Sequence, residues 1–121
     1  MRKAPALMLA ASLVGMLMTA PVFAAEEQKK EESGQDLAFN NRKGNCLACH
    51  SVPGDPKAVT IANIGPPLIA MKSRIPDKNK LREQIWDATK LNPDSAMPPF
   101  GKHKILSEQE LDKIVDYVYG L

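Results

Sequence analysis

The chain holds only two cysteines among 121 residues, and they fall three positions apart at Cys46 and Cys49. If that pair is committed to one task, no sulfur is left for a disulfide framework or a cysteine nucleophile. Aromatic residues are also scarce, with three Phe, two Tyr and one Trp. Basic and aromatic side chains do not interleave, which argues against a nucleic-acid partner. No stretch alternates apolar and polar residues over strand length, so nothing predicts a sheet. The longest apolar run falls short of the ~20 residues that a membrane-spanning helix wants.

That run lies at the start. Arg2 and Lys3 precede an almost wholly apolar stretch from Ala6 to Ala20, and Val22-Phe23-Ala24 ends in a small residue. The pattern is that of a secretory signal peptide over residues 1–24, cleaved after Ala24. An uncleaved anchor is the competing reading, but the run is short and bracketed by Pro5 and Pro21. Export implies a periplasmic protein with no membrane contact after cleavage. Without Arg2 and Lys3, fourteen basic residues balance fourteen acidic ones. The balance is uneven. Glu26, Glu27, Glu31, Glu32 and Asp36 make the start acidic, whereas eleven Lys/Arg face five Asp/Glu between Leu37 and Leu106. The basic part suits docking to an acidic protein surface. A solvated face is the plainer explanation of the same residues.

Cys46-Leu47-Ala48-Cys49-His50 is the most informative stretch. C-x-x-C-H is the pattern of covalent haem c attachment. Two thiols on one turn can add across both vinyl groups of a single porphyrin, and the following His50 then reaches the iron. A thiol redox pair has no use for that histidine. A zinc site built from Cys46, Cys49, His50 and His103 is a further rival. However, adjacent Cys49 and His50 point apart and do not easily share one tetrahedral ion.

Residues 25–35 are polar and charged and read as a flexible leader. Asp36 is placed to cap a short helix through Lys43, with Gly44 ending it. Ser51 to Asn63 reads as loop. Gly65-Pro66-Pro67 follows, stiff and short of N–H donors. The Pro66 carbonyl is a candidate partner for the second ring nitrogen of His50, although a turn opening the next helix explains the spacing equally well. A short helix is expected over Leu68 to Lys72. Another is expected from Asp77 to about Lys90, with Leu81, Ile85 and Ala88 on one face and Trp86 beside it, as core or as a wall that covers the cofactor. Pro93 stops it. Met97 sits in the rigid loop Ala96-Met97-Pro98-Pro99 and is the leading candidate for a sixth iron ligand. Met71, beside Leu68, reads as core, and His103 lies in an exposed segment between two lysines. Ser107-Glu108-Gln109-Glu110 forms a capping box for the final helix, where Leu111, Ile114, Val115 and Val118 share a face. Gly120 closes that helix, and its apolar face should pack on the helix leading into the haem motif. The fold class is therefore all-α, and with so few aromatics the porphyrin would supply much of the core.

Cys46-x-x-Cys49-His50, Gly65-Pro66, Met97-Pro98 and the closing Ile114-Val115-Asp116-Tyr117-Val118 resemble the class I cytochromes c. By position the resemblance makes His50 and Met97 axial ligands and the Pro66 carbonyl the partner of His50. Ala38 and Arg42 stand where that class usually has a glycine and an aromatic. Arg42-Lys43-Gly44-Asn45-Cys46, Asn63-Ile64-Gly65-Pro66-Pro67-Leu68, Gln84-Ile85-Trp86-Asp87-Ala88-Thr89 and Met97-Pro98-Pro99-Phe100-Gly101 are more closely similar to the SoxX family. SoxX proteins are the small mono-haem subunits of SoxAX, which couples thiosulfate to a cysteine of the SoxYZ carrier. This resemblance, over Asp36 to Leu121, implies a SoxA-type haem subunit as heterodimer partner and catalyst. It also implies a soluble cytochrome c as electron acceptor, and no catalytic residue on this chain. A free-standing class I carrier is the alternative. A haem-based sensor is a third reading and needs an iron position that opens.

Overall fold

The computed structural model describes residues 31–121; the expected signal peptide and residues 25–30 of the expected leader lie outside them. Among the described residues there are four α-helices and no strand: α1 (Gly34–Phe39), α2 (Met71–Arg74), α3 (Lys78–Trp86) and α4 (Glu108–Tyr119). Two single 3₁₀ turns, Cys46–Ala48 and Ala88–Lys90, complete the regular structure.

Helix α4 is the backbone of the domain. Ser107 accepts a hydrogen bond from the Glu110 amide while the Glu110 carboxylate accepts one from the Ser107 amide. This reciprocal cap satisfies donors that a helix start otherwise leaves bare. Leu111, Ile114, Val115 and Val118 are all buried, as their spacing requires. Each contributes roughly 1.5–3 kcal/mol through burial. The face packs on α1 on one side and α3 on the other. Arg82 ties α3 to α4 by pairing with both Glu108 and Asp112. Such exposed pairs are worth only ~0–1 kcal/mol each, so the apolar contact decides the packing.

Three expected helices have different bounds, each for a local reason. Helix α1 starts at Gly34 rather than Asp36, because Ser33 is the cap and Asp36 returns the bond to the Ser33 amide. The folded part therefore includes Ser33 to Gln35, inside the stretch whose composition reads as leader. The same helix ends at Phe39 rather than Lys43, since the Asn40 carbonyl takes bonds from the Lys43 and Asn45 amides and turns the chain. Helix α2 spans Met71–Arg74, not Leu68 to Lys72. The Leu68 amide is tied to the Ser51 carbonyl, and Ala70 at φ 51° must turn left-handed before a helix can begin. Finally, α3 stops at Trp86, well before Lys90. Asp87 adopts an extended conformation (φ −157°) and its side chain caps the following 3₁₀ turn through the Thr89 amide. An aspartate bonding its own neighbouring backbone competes with helix continuation.

The crossing of α1 and α4 uses Gly34. A Cβ built there would stand 2.0 Å from the Lys113 carbonyl oxygen. Ala38 is buried one turn further on, and Phe39 meets Tyr117 edge-on at 5.8 Å between ring centroids. The close-approach glycine and its aromatic neighbour are thus present, four and three positions away from Ala38 and Arg42.

Candidate cofactor site

A cavity of about 750 Å³ opens between these elements. Its volume falls within the ~300–1,000 Å³ of ordinary cofactor and ligand sites. Cys46, Cys49 and His50 line one part of it and Met97 and Pro98 another, with Leu68, Met71, Leu81, Ile85 and Phe100 among the apolar residues of the interior. Arg42, Lys43 and Arg74 also line it. An apolar slot edged by cations, with two thiols and an imidazole at one wall, fits a macrocycle carrying two carboxylates.

The sequence makes the proximal wall by local turns. Asn45 takes a left-handed conformation at φ 48°, which turns the chain into the 3₁₀ turn Cys46–Ala48. The His50 amide then donates to the Cys46 carbonyl at 2.9 Å. His50 is fixed from the other side. Its Nδ1 lies 2.7 Å from the Pro66 carbonyl oxygen, and a carbonyl can only accept, so Nδ1 carries the proton. In a neutral imidazole this leaves the Nε2 lone pair for a metal. Gly65 lies against the same ring, for a Cβ there would be 2.3 Å from the His50 Cε1. The Gly65 amide is itself bonded to the Cys49 carbonyl at 2.8 Å.

Burial pushes the free Cys46 thiol up to about 11, with the neighbouring Cys49 a smaller contribution. A thiolate nucleophile needs a lowered pKa, so Cys46 is not poised as one. Among the described residues no three of His, Cys, Asp or Glu converge on a metal-sized site. His103 lies on the exposed turn after Gly101 and does not line the cavity.

Met97 is half-buried, and its amide donates to the Ser95 hydroxyl at 3.2 Å. Met71 is buried and borders the same cavity. Trp86 meets the core half of its expectation and not the cofactor half. Its ring packs on Gly101, where a Cβ would come within 1.9 Å, and its indole N–H donates to Glu108 at 3.3 Å. Lys90 lies over the ring at 4.9 Å. Trp86 is therefore half-buried against the apolar core and does not line the cavity. Two residues that the linear pattern concealed are Asp87 and Arg74. Asp87 is almost fully buried and binds Lys102 at 3.0 Å. Arg74 donates to the Pro67 carbonyl at 2.6 Å, holding the proline segment from the side of α2.

The family described as cytochrome c oxidase, cbb3-type, subunit III matches residues 31–118. An uncharacterized lipoprotein of Aquifex aeolicus (strain VF5) is 37% identical over 79 residues, which are 65% of this chain and 37% of that protein. The chain thus spans little more than a third of that relative. Among solved structures, a chain in the crystal structure of SoxXA from P. pantotrophus aligns with a TM-score of 0.63. The alignment covers 71% of this chain and 77% of that one at 24% identity. Identity at that level shows a shared fold.

Proposed function

The chain belongs to the c-type cytochrome family described as cytochrome c oxidase, cbb3-type, subunit III, and from that premise we propose that it is the electron-accepting small subunit of a SoxAX-type complex. It is a mono-haem electron-transfer cytochrome with covalent haem c; the finer role is our reading. The observation that carries it is the fold shared with a chain of SoxXA over most of both lengths. Support also comes from the sequence stretches around Gly65, Trp86 and Met97, which lie outside the haem motif.

In this reading Cys46 and Cys49 would form the two thioether links, and His50 and Met97 would hold the iron. When bound, haem c supplies a one-electron ferric–ferrous couple, with Met ligation raising its potential. The chain's own residues then do three things. Pro66 and Gly65 lock the His50 ring and keep its proton on Nδ1. Met97, on its proline-flanked loop, would supply the second protein ligand to the iron and so leave none for substrate. The apolar interior around Leu68, Leu81 and Ile85 limits access of water. Coupling a carrier thiol to thiosulfate forms one S–S bond and releases one proton and two electrons. Both electrons would leave through this chain in succession to a soluble cytochrome c. The bond-making belongs to the SoxA-type partner, since both sulfurs here are tied up. The signal peptide over 1–24 belongs to the same proposal and gives a periplasmic location.

Purification of the tagged chain from its own host tests the assignment. A 1:1 complex with a larger haem-bearing subunit is expected, and a monodisperse small cytochrome would establish the free carrier instead. The ligand assignment has its own test. Met97→Ala should change the visible spectrum and lower the midpoint potential, and an unchanged spectrum would remove Met97 from the iron.

A further inference from the structure

Among the described residues the longest run without a charged side chain follows Lys57. A quarter of its residues are Asp, Glu, Lys or Arg, yet none occurs from Ala58 to Ala70. Within the gap Val59, Ile61 and Ile64 are 91%, 98% and 73% exposed. A lone exposed apolar residue means little, but three within six positions on an uncharged loop call for a partner.

The loop is held outward by specific bonds. The Thr60 hydroxyl donates to the Leu47 carbonyl at 3.1 Å, and the Ala62 amide donates to the Thr60 hydroxyl at 3.1 Å. The Gly65 amide closes the far end on Cys49. At the near end Lys57 donates to Gln35 at 2.9 Å, while Asp55 accepts from the Tyr117 hydroxyl at 2.6 Å. The apolar side chains are therefore presented beside the cysteine motif, and Ile64 borders the cavity itself. Basic residues bracket the gap: Lys57 before it, Lys72 and Arg74 after it. Among the described residues none of these three forms an ion pair with a carboxylate.

We propose that Val59, Ile61 and Ile64 are the centre of a permanent interface with the haem-bearing subunit that donates electrons to this chain. The partner's matching surface is apolar and uncharged at its middle and acidic at its rim, facing Lys57 and Lys72. An apolar centre within a polar rim is the anatomy of a lasting interface. Transient docking depends instead on charge steering, which this loop lacks at its centre. The location follows the chemistry, because covering Ile64 and the neighbouring cavity mouth excludes water where electrons would enter. The inference rests on the subunit reading above and adds to it the face that is used.

The test uses the full-length, haem-loaded chain and the haem-bearing subunit that co-purifies with it, identified by mass spectrometry. Ile61→Asp is compared with Gln109→Asp, an exposed control on α4. Ile61→Asp should weaken the complex on the order of 100-fold and leave the visible spectrum unaltered, with the control unchanged. A complex that survives Ile61→Asp and the double variant Val59→Asp/Ile61→Asp overturns the assigned face while leaving the subunit role standing. A homodimer of the isolated chain that Ile61→Asp dissolves would make a second copy the occupant. Binding of the wild type to phosphatidylcholine vesicles, lost in Ile61→Asp, would make it a lipid surface. Either result overturns the proposal. Recovery of the wild type as a monomer without a haem-bearing subunit would remove the proposed function first, and this face with it.

Discussion

His50 shows how much one side chain owes to its immediate neighbours. The Pro66 carbonyl holds its Nδ1 proton, and the glycine one position earlier leaves room for the ring. Gly65→Ala places a methyl group inside the imidazole, so either the ring or the proline segment must move. We expect a loss of ~1–3 kcal/mol from overpacking and reduced haem incorporation, read by chemical denaturation and by the haem absorbance per chain. Asp87 is the second residue of this kind. Its carboxylate takes bonds from the Thr89 hydroxyl and amide and pairs with Lys102, while the Gly101 and Lys102 amides donate to the Trp86 carbonyl. The end of α3 thereby clamps the turn that follows Met97-Pro98. Asp87→Asn keeps the shape and removes the charge. If Met97 and His50 hold the iron as proposed, the spectral signature of Met97 should then be lost at a lower temperature than in the wild type, with that of His50 intact. Equal melting of both signatures in the two proteins would show that the clamp does not reach the loop.

Among the elements, the α1–α4 crossing governs the fold. Its tightest point is Gly34 against the Lys113 carbonyl, a backbone atom that cannot rotate aside. Gly34 is the first residue of α1, where Ala gains less than the ~1 kcal/mol of helix propensity it has in a helix interior. Here the collision should outweigh that gain, for a net loss of ~1–3 kcal/mol in denaturant unfolding. A stabilised variant would mean that the helices slide apart without penalty. Gly44 makes a milder approach to Leu37 and Ile114 where the chain leaves α1, so both ends of this segment are held close to the core.

Across the whole molecule, paired carboxylates set the response to acid. The Tyr117 hydroxyl holds Asp55 below its ordinary range, Thr89 and Lys102 do so for Asp87, Arg82 for Glu108 and Lys43 for Glu110. A depressed folded-state pKa adds stability that is complete above the unfolded value, about 4 for these groups, and is lost as pH falls through the folded one. Thermal stability should therefore be level from about pH 5 to neutrality and fall steeply below about pH 4. Tyr117 acts at the other end of the scale. Burial, then Asp55, raises it above its ordinary value. Its contribution is complete below about pH 10 and lost as pH rises beyond that, through the folded value. Melting temperatures recorded from pH 2 to 12 check both limbs, and stability still level at pH 3 would refute the acid one.

The amino-acid sequence by itself determined the cofactor class, the all-α character and the closing helix. Fixed spacing encodes these: Cys46, Cys49 and His50 along a single turn, and Leu111, Ile114, Val115 and Val118 along a single face. Tertiary structure decided what spacing does not encode. Which cap wins is a contest between neighbours, so Ser33 rather than Asp36 begins α1 and Asp87 ends α3. Whether an aromatic walls a cavity depends on what lies across from it, so Trp86 packs on Gly101 instead. Linear pattern reports the periodicity of one segment, whereas burial and close approach are properties of two segments meeting. For that reason the glycine of the helix crossing and the exposed apolar loop beside the cysteines emerged only in three dimensions.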